Sequence, residues 1–78
     1  MIKNDIFKII KSSLKTKKKI DIKSNSKNVP DWDSLGQLTI LTSLDRKFKN
    51  KTSKLNKLST ATSVKEIVSI LTKAKLIK

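Results

Sequence analysis

Residues 31–38 read Asp31-Trp32-Asp33-Ser34-Leu35-Gly36-Gln37-Leu38, and this run predicts the sharp start of a helix near the middle of the chain. The carboxylate of Asp33 can accept a hydrogen bond from a free backbone N–H of the first helical turn, as an N-cap residue does. Apolar side chains then recur at helical spacing, and we expect the helix to extend to about residues 47–49. They are Leu35, Leu38, Leu41, Leu44 and Phe48, with Ile40 beside them, and the polar Asp45 is the alternative to Leu44 in this spacing.

Amphipathic patterns predict a further helix on each side of this run. The first extends from Ile2 to about Leu14, with lysines opposite an apolar face formed by Ile2, Ile6, Ile9 or Ile10, and Leu14. The last begins at Ser63, because Ser63 and Glu66 match the capping-box pattern. It ends near Lys73, and its core-facing stripe consists of Val64, Ile67, Val68 and Leu71.

The connections between these helices are polar. Residues 19–29 form a long loop, in which Ile20 and Ile22 can attach the chain to the core and Val29 is extended because it precedes Pro30. Residues 49–59 contain Leu55 and Leu58 three apart, which suggests one or two short helical turns. We therefore predict one domain over residues 1–78. Its fold class is all-α, a small three- to four-helix bundle with a long loop between helices one and two.

The composition argues against an autonomous enzyme. The chain has no cysteine and no histidine, which removes a thiolate nucleophile, the commonest general base and the commonest metal ligands. The six acidic residues are scattered, apart from Asp31 and Asp33, and we expect no metal site. A 78-residue chain also has too small a core to enclose a deep cleft.

The run around Ser34 resembles the attachment site of acyl carrier proteins, in which Asp-Ser-Leu opens the second helix. The longer run Trp32-Asp33-Ser34-Leu35-Gly36 is similar to a subgroup found outside core fatty-acid synthesis. The resemblance spans nearly the whole chain, since residues 6–14 look like the family's first helix and residues 62–71 like its last. The chain is thus similar to an atypical, basic member of this family, whose fold is an acyl-carrier-protein-type bundle.

The resemblance implies a carrier that partner enzymes modify and load. A phosphopantetheinyl transferase would attach 4'-phosphopantetheine covalently to Ser34, with Asp33 and Leu35 completing the attachment site. The thiol of this arm would hold acyl or aminoacyl intermediates as thioesters. In the family, side chains of the second helix also line a pocket for the acyl chain, and the candidates here are Ile40 and Leu44. The resemblance further implies a monomer. Because no signal peptide or membrane-spanning apolar run is visible in the sequence, we expect a cytoplasmic protein.

The net charge of +13 departs from the family, whose members present acidic side chains on the second helix. Because complementary charge steers encounters between proteins, we expect a dedicated acyl-loading enzyme with an acidic or apolar docking face. The pathway would be one of lipid biosynthesis, polyketide-like synthesis or other secondary metabolism. The charge can also reflect an AT-rich coding sequence, in which lysine accumulates whatever the protein does.

Three other interpretations remain open. The charge and the run Lys17-Lys18-Lys19 suggest a helical module that binds nucleic acid or another polyanion. Against nucleic acid stand a single arginine, three aromatic residues and lysines spread along the chain. A structural bundle that is never modified is the second alternative, with Asp33 and Ser34 serving only to cap a helix. Attachment of the first helix to a membrane surface is the third.

Overall fold

The computed structural model describes residues 3–49 and 51–77, apart from the side chains of residues 3, 53 and 54. It is mostly helical, with α1 at Lys3–Leu14, α2 at Ser34–Lys47 and α3 at Val64–Lys73. Two short 3₁₀ segments, Lys51–Lys54 and Asn56–Thr60, connect α2 to α3. No strand occurs in the described residues, where Asn25 and Ser63 form an isolated antiparallel bridge. This confirms a small all-α domain and the short turns predicted between residues 49 and 59.

The helices share one apolar core. Ile6, Ile10 and Leu14 face it from α1, so the alternative with Ile10 is correct and Ile9 is only half-buried, while Ile2 lies outside the described residues. The predicted stripe of α3 is fully confirmed. The other core residues come from α2, from the connections and from the tail after α3: Ile20, Val29, Trp32, Ile40, Leu44, Phe48, Leu58, Ala61 and Ile77.

The buried face of α2 differs from the predicted stripe. Ile40, Leu44 and Phe48 are buried, and they continue the row that begins at Gly36. Leu35 and Leu38 are instead 72% and 61% exposed. Both rows have helical spacing, so periodicity alone does not separate them. The close packing of α1 against Gly36 selects the row that faces inward.

The long loop is held by side-chain-to-backbone hydrogen bonds. The Asn25 carboxamide oxygen accepts from the backbone N–H of Lys27 and Asn28, and the Asp21 carboxylate accepts from that of Lys23. Such turns satisfy the backbone where no regular structure does. Ile20 is buried as expected, but Ile22 is 40% exposed, so the prediction that Ile22 helps attach the loop was wrong.

Candidate modification site

The start of α2 has the geometry that its sequence predicts. Asp33 is extended, with φ −101° and ψ −168°, and the backbone N–H of Gly36 donates to its carboxylate over 2.8 Å. Ser34 is the first residue of the helix. Asp33 is therefore the N-cap, and Ser34 lies where free backbone N–H groups make the helix electropositive.

The Ser34 side chain is exposed, and its hydroxyl has no hydrogen-bond partner among the described residues. Leu35 beside it is also exposed, so an enzyme can approach from solvent without displacing either side chain. The chain contains no histidine that could act as a general base at Ser34. An anion attached to this hydroxyl would be stabilised by the helix N-terminus.

Trp32 anchors the residues just before Ser34. Its ring is buried, and the indole N–H donates to the Gln37 side-chain oxygen over 2.6 Å. The Gln37 amide nitrogen in turn donates to the backbone oxygens of Leu58, over 3.3 Å, and of Ala61, over 2.9 Å. One glutamine thus joins the start of α2 to the second 3₁₀ segment and the residue after it.

Gly36 supplies clearance inside the protein. Gly36 is buried on the inward-facing side of α2. A Cβ atom at this position would lie 2.6 Å from the backbone oxygen of Asp31 and 2.7 Å from a methyl group of Leu14. The glycine therefore allows the end of α1 and the preceding turn to pack against the first turn of α2.

The loop before α2 is fixed at two places. The backbone N–H of Trp32 donates to the Val29 oxygen over 2.9 Å, which closes a turn around Pro30. Farther back, the N–H of Ser26 donates to the Thr62 oxygen and the N–H of Val64 donates to the Ser24 oxygen, both over 2.9 Å. The loop thereby connects the entry of α2 to the entry of α3.

An open groove of about 600 Å³ begins at Ser34. Leu41 and Ser59 also line a second groove, of about 580 Å³, between α2 and the 3₁₀ segments, so the two adjoin. Apolar and hydroxyl side chains dominate the first groove. Its lining residues are Ser26, Trp32, Asp33, Ser34, Gln37, Leu38, Leu41, Ser59 and Thr62.

The structure brings Asp33, Ser34 and Leu35 together at one exposed helix end, but it places Ile40 and Leu44 elsewhere. Ile40 and Leu44 are fully buried in the core, whereas Leu38 and Leu41 line the groove beside Ser34. That Ile40 and Leu44 line a pocket for the acyl chain stays a prediction, and such a pocket would require the core to open.

Sequence reasoning missed the connecting role of Gln37. Its partners lie 21 and 24 residues away, and no local pattern reports such contacts. The one indication in the sequence was that Gln37, a polar residue, adjoins the row of α2 that is buried. The groove-lining role of Leu38 follows from the assignment of the buried face, which periodicity left open.

The surroundings of the site are poor in acidic groups. Asp31 and Asp33 lie near Ser34, just before α2 begins. The next carboxylate along the chain is that of Asp45 in α2, which accepts a hydrogen bond from the Thr52 hydroxyl. In the described part of the chain, no cluster of three or more potential metal-binding side chains is found. None of the helices described has the length and apolar character needed to cross a membrane.

No protein-family model, curated protein or solved structure matches this chain.

Proposed function

We propose that this chain is an acyl carrier protein with the bundle of that family, and that Ser34 bears its 4'-phosphopantetheine arm. The proposal rests above all on one observation: an exposed serine is the first residue of α2, directly after the Asp33 cap and next to a groove. The resemblance of residues 32–36 to the family's attachment run gives this arrangement its chemical meaning.

The attachment reaction is a phosphoryl-group substitution on coenzyme A. The Ser34 oxygen attacks the phosphorus that bears the pantetheine, a new O–P bond forms, and the bond to the second phosphate breaks. The leaving group is adenosine 3',5'-bisphosphate, and a base of the transferase takes the hydroxyl proton. The phosphodiester that results lies at the electropositive end of α2, which favours its negative charge.

The groove gives the attached arm a place to lie. It begins at Ser34, and its side chains supply both apolar contacts, at Leu38 and Leu41, and hydroxyl groups, at Ser59 and Thr62. A pantetheine arm has amides and methyl groups that suit such a mixed surface. The cargo is an acyl or aminoacyl thioester on the arm's thiol, since the chain has no thiol of its own.

The partners follow from the charge around Ser34. Leu35 and Leu38 are exposed, and the acidic surface typical of the family's second helix is missing. We propose a dedicated loading enzyme whose docking face is apolar or acidic. Loading by a standard fatty-acid malonyl transferase at the rate of an acidic carrier would contradict this.

The test is the intact mass of the protein after incubation with coenzyme A and a broad-specificity phosphopantetheinyl transferase. We expect the wild type and Ser69→Ala to gain one phosphopantetheine each, and Ser34→Ala to gain none. Ser69 is a suitable control because it is exposed and lies on α3. If folded wild type gains nothing with several transferases, the carrier proposal is wrong and Ser34 only begins a helix.

Polyanion binding is the second candidate, because the charge of +13 includes an exposed run at Lys17, Lys18 and Lys19. For a nucleic-acid ligand, binding would weaken steeply with salt, in proportion to the number of phosphates contacted. A titration of duplex DNA at several salt concentrations tests this. Flat, weak binding throughout would exclude this candidate.

A further inference from the structure

A third groove, on the other side of α2 from the second 3₁₀ segment, is basic. It has a volume of about 500 Å³ and lies between α1 and the last turns of α2. Among the residues that the structure describes, seven side chains line it, three of them cationic, three hydroxyl-bearing and one apolar: Lys8, Ile9, Ser12, Ser13, Ser43, Arg46 and Lys47. None of these seven described side chains is acidic, although Asp5 lies one turn before Lys8 and Ile9 on α1.

The floor of this groove is ordered by hydroxyl groups. The Ser13 hydroxyl lies 2.7 Å from the Ile9 backbone oxygen, to which it can donate, and 2.9 Å from the Ser43 hydroxyl. If Ser13 donates to Ile9, Ser43 can supply the proton of the bond between the two serines. When an oxyanion enters, either hydroxyl can rotate and donate to it instead, because a hydroxyl proton turns to suit its partner.

Arg46 adds the chain's single guanidinium group. Guanidinium donors form a planar fork that matches two oxygens of a phosphate, whereas lysine acts as a point charge. Lys8 from α1 and Lys47 from α2 bring further positive charge to the same space. A ligand with two negative charges and three acceptor oxygens uses this set of donors better than a carboxylate does.

We propose that this groove, here named the basic groove, binds a phosphate monoester. The volume exceeds what a bare phosphate needs, so the ligand has an organic part that lies along Ile9 and the serines. The site is separate from the attachment site, because Arg46 follows Ser34 by twelve residues, about 18 Å along the axis of α2. The inference therefore does not depend on the modification of Ser34.

The first experiment uses the Arg46 side chain as its own reporter. Since the chain has one arginine, the Nε–H group gives a single, unambiguous signal in a ¹⁵N-correlated NMR spectrum. We expect methyl phosphate, added at low ionic strength and about pH 7.5 where it is mostly a dianion, to shift this signal and the Ser13 and Ser43 amides to saturation. Sodium chloride at equal ionic strength should not do so. Equal shifts with both would overturn the proposal.

Three variants distinguish binding of methyl phosphate at the basic groove from the general attraction of an anion to a basic protein. Arg46→Gln should raise the dissociation constant for methyl phosphate by about threefold to fivefold, as expected for one exposed charge contact. Arg46→Lys keeps the charge but loses the planar fork of donors. Its dissociation constant for methyl phosphate should lie between those of wild type and Arg46→Gln. Lys65→Gln removes one charge from an exposed position on α3 and should leave the constant unchanged. An equal effect of Arg46→Gln and Lys65→Gln would show that only net charge matters and would overturn the proposal.

A competition experiment identifies the source of the phosphate. Vesicles of phosphatidylcholine with phosphatidic acid present a phosphate monoester, whereas vesicles with phosphatidylglycerol present a diester of similar surface charge. Displacement of methyl phosphate from Arg46 by the phosphatidic acid vesicles alone assigns a lipid headgroup. Retention of methyl phosphate with both vesicles assigns a soluble phosphate monoester. Displacement by both equally would mean attraction to any anionic surface, which contradicts the proposed site.

Discussion

Gly36 is the residue whose replacement should disturb the attachment site most directly. In Gly36→Ala the added Cβ atom meets the Asp31 backbone oxygen at 2.6 Å and a Leu14 methyl group at 2.7 Å. Alanine favours a helix by about 1 kcal/mol over glycine, but overpacking against backbone costs about 1–3 kcal/mol. Because the nearest contact is with a backbone atom, which cannot rotate away, the upper part of that cost applies, and we expect the free energy of unfolding to fall by about 1–2 kcal/mol, measured by urea denaturation.

The control for Gly36→Ala is Ser69→Ala, which also places alanine in a helix but at an exposed position. It should leave stability unchanged or raise it by a few tenths of a kcal/mol. If Gly36→Ala were as stable as wild type, the close approach of Asp31 and Leu14 to α2 would be wrong.

Residue-level features were predictable where their physical cause is local. The caps at Asp33 and Ser63 follow from side chains that bond to backbone groups three residues on, and both bonds are present. At α3 the Ser63 hydroxyl also donates to the Glu66 carboxylate over 3.0 Å. The role of Gln37 was not predictable, because its partners belong to a distant segment that only the folded chain brings near.

At the level of the helices, a lysine in left-handed conformation follows each one. Lys15, Lys49 and Lys75 have φ values of 52°, 53° and 61°. After α3, the N–H of Leu76 donates to the Leu71 oxygen and that of Lys75 to the Thr72 oxygen, which is the Schellman arrangement usually completed by glycine. Lysine at these positions gains from the negative helix end but has the steric cost of positive φ.

Replacing Lys75 by glycine should therefore stabilise the protein. Lys75→Gly removes a strain of about 1 kcal/mol at φ 61° and loses a smaller charge–dipole contribution. We expect a net gain of about 0.5 kcal/mol or more and a higher melting temperature in circular dichroism.

Lys11→Gly makes the same change inside α1, at an exposed position of regular helix. There glycine should destabilise the protein by about 1 kcal/mol, since it loses more backbone entropy than other residues. We therefore expect the changes in the free energy of unfolding to have opposite signs in Lys75→Gly and Lys11→Gly. A loss of stability in Lys75→Gly would mean that the αL position after α3 is not strained.

The extents of the helices were predictable and the buried face of α2 was not. Caps and apolar spacing gave α2 and α3 bounds close to those observed. In α2, however, one row passes through Gly36, Ile40 and Leu44, and another through Leu35 and Leu38, and both are consistent with a helix. Which row is buried depends on how α1 and the 3₁₀ segments pack against α2. Apolar periodicity therefore could not predict the groove beside Ser34.

Over the whole molecule, charge opposes compactness. Nineteen basic and six acidic residues give +13 on 78 residues, and the lysines whose side chains are described are exposed. Folding brings these like charges closer together than they are in the unfolded chain, so repulsion lowers the free energy of unfolding. The same positive field favours encounters with acidic partners and with phosphate ligands.

Screening this repulsion should raise the melting temperature. Between about 10 and about 200 mM sodium chloride, the Debye length falls from about 30 Å to less than 10 Å, which weakens interactions across a domain of this size. We expect a rise of several degrees, since about 1 kcal/mol corresponds to about 4–8 °C in small domains. The double variant Lys17→Glu, Lys19→Glu lowers the net charge from +13 to +9, two units for each exchange, and should show a smaller rise. A melting temperature that stays flat or falls with salt in the wild type would mean that charge repulsion does not limit its stability.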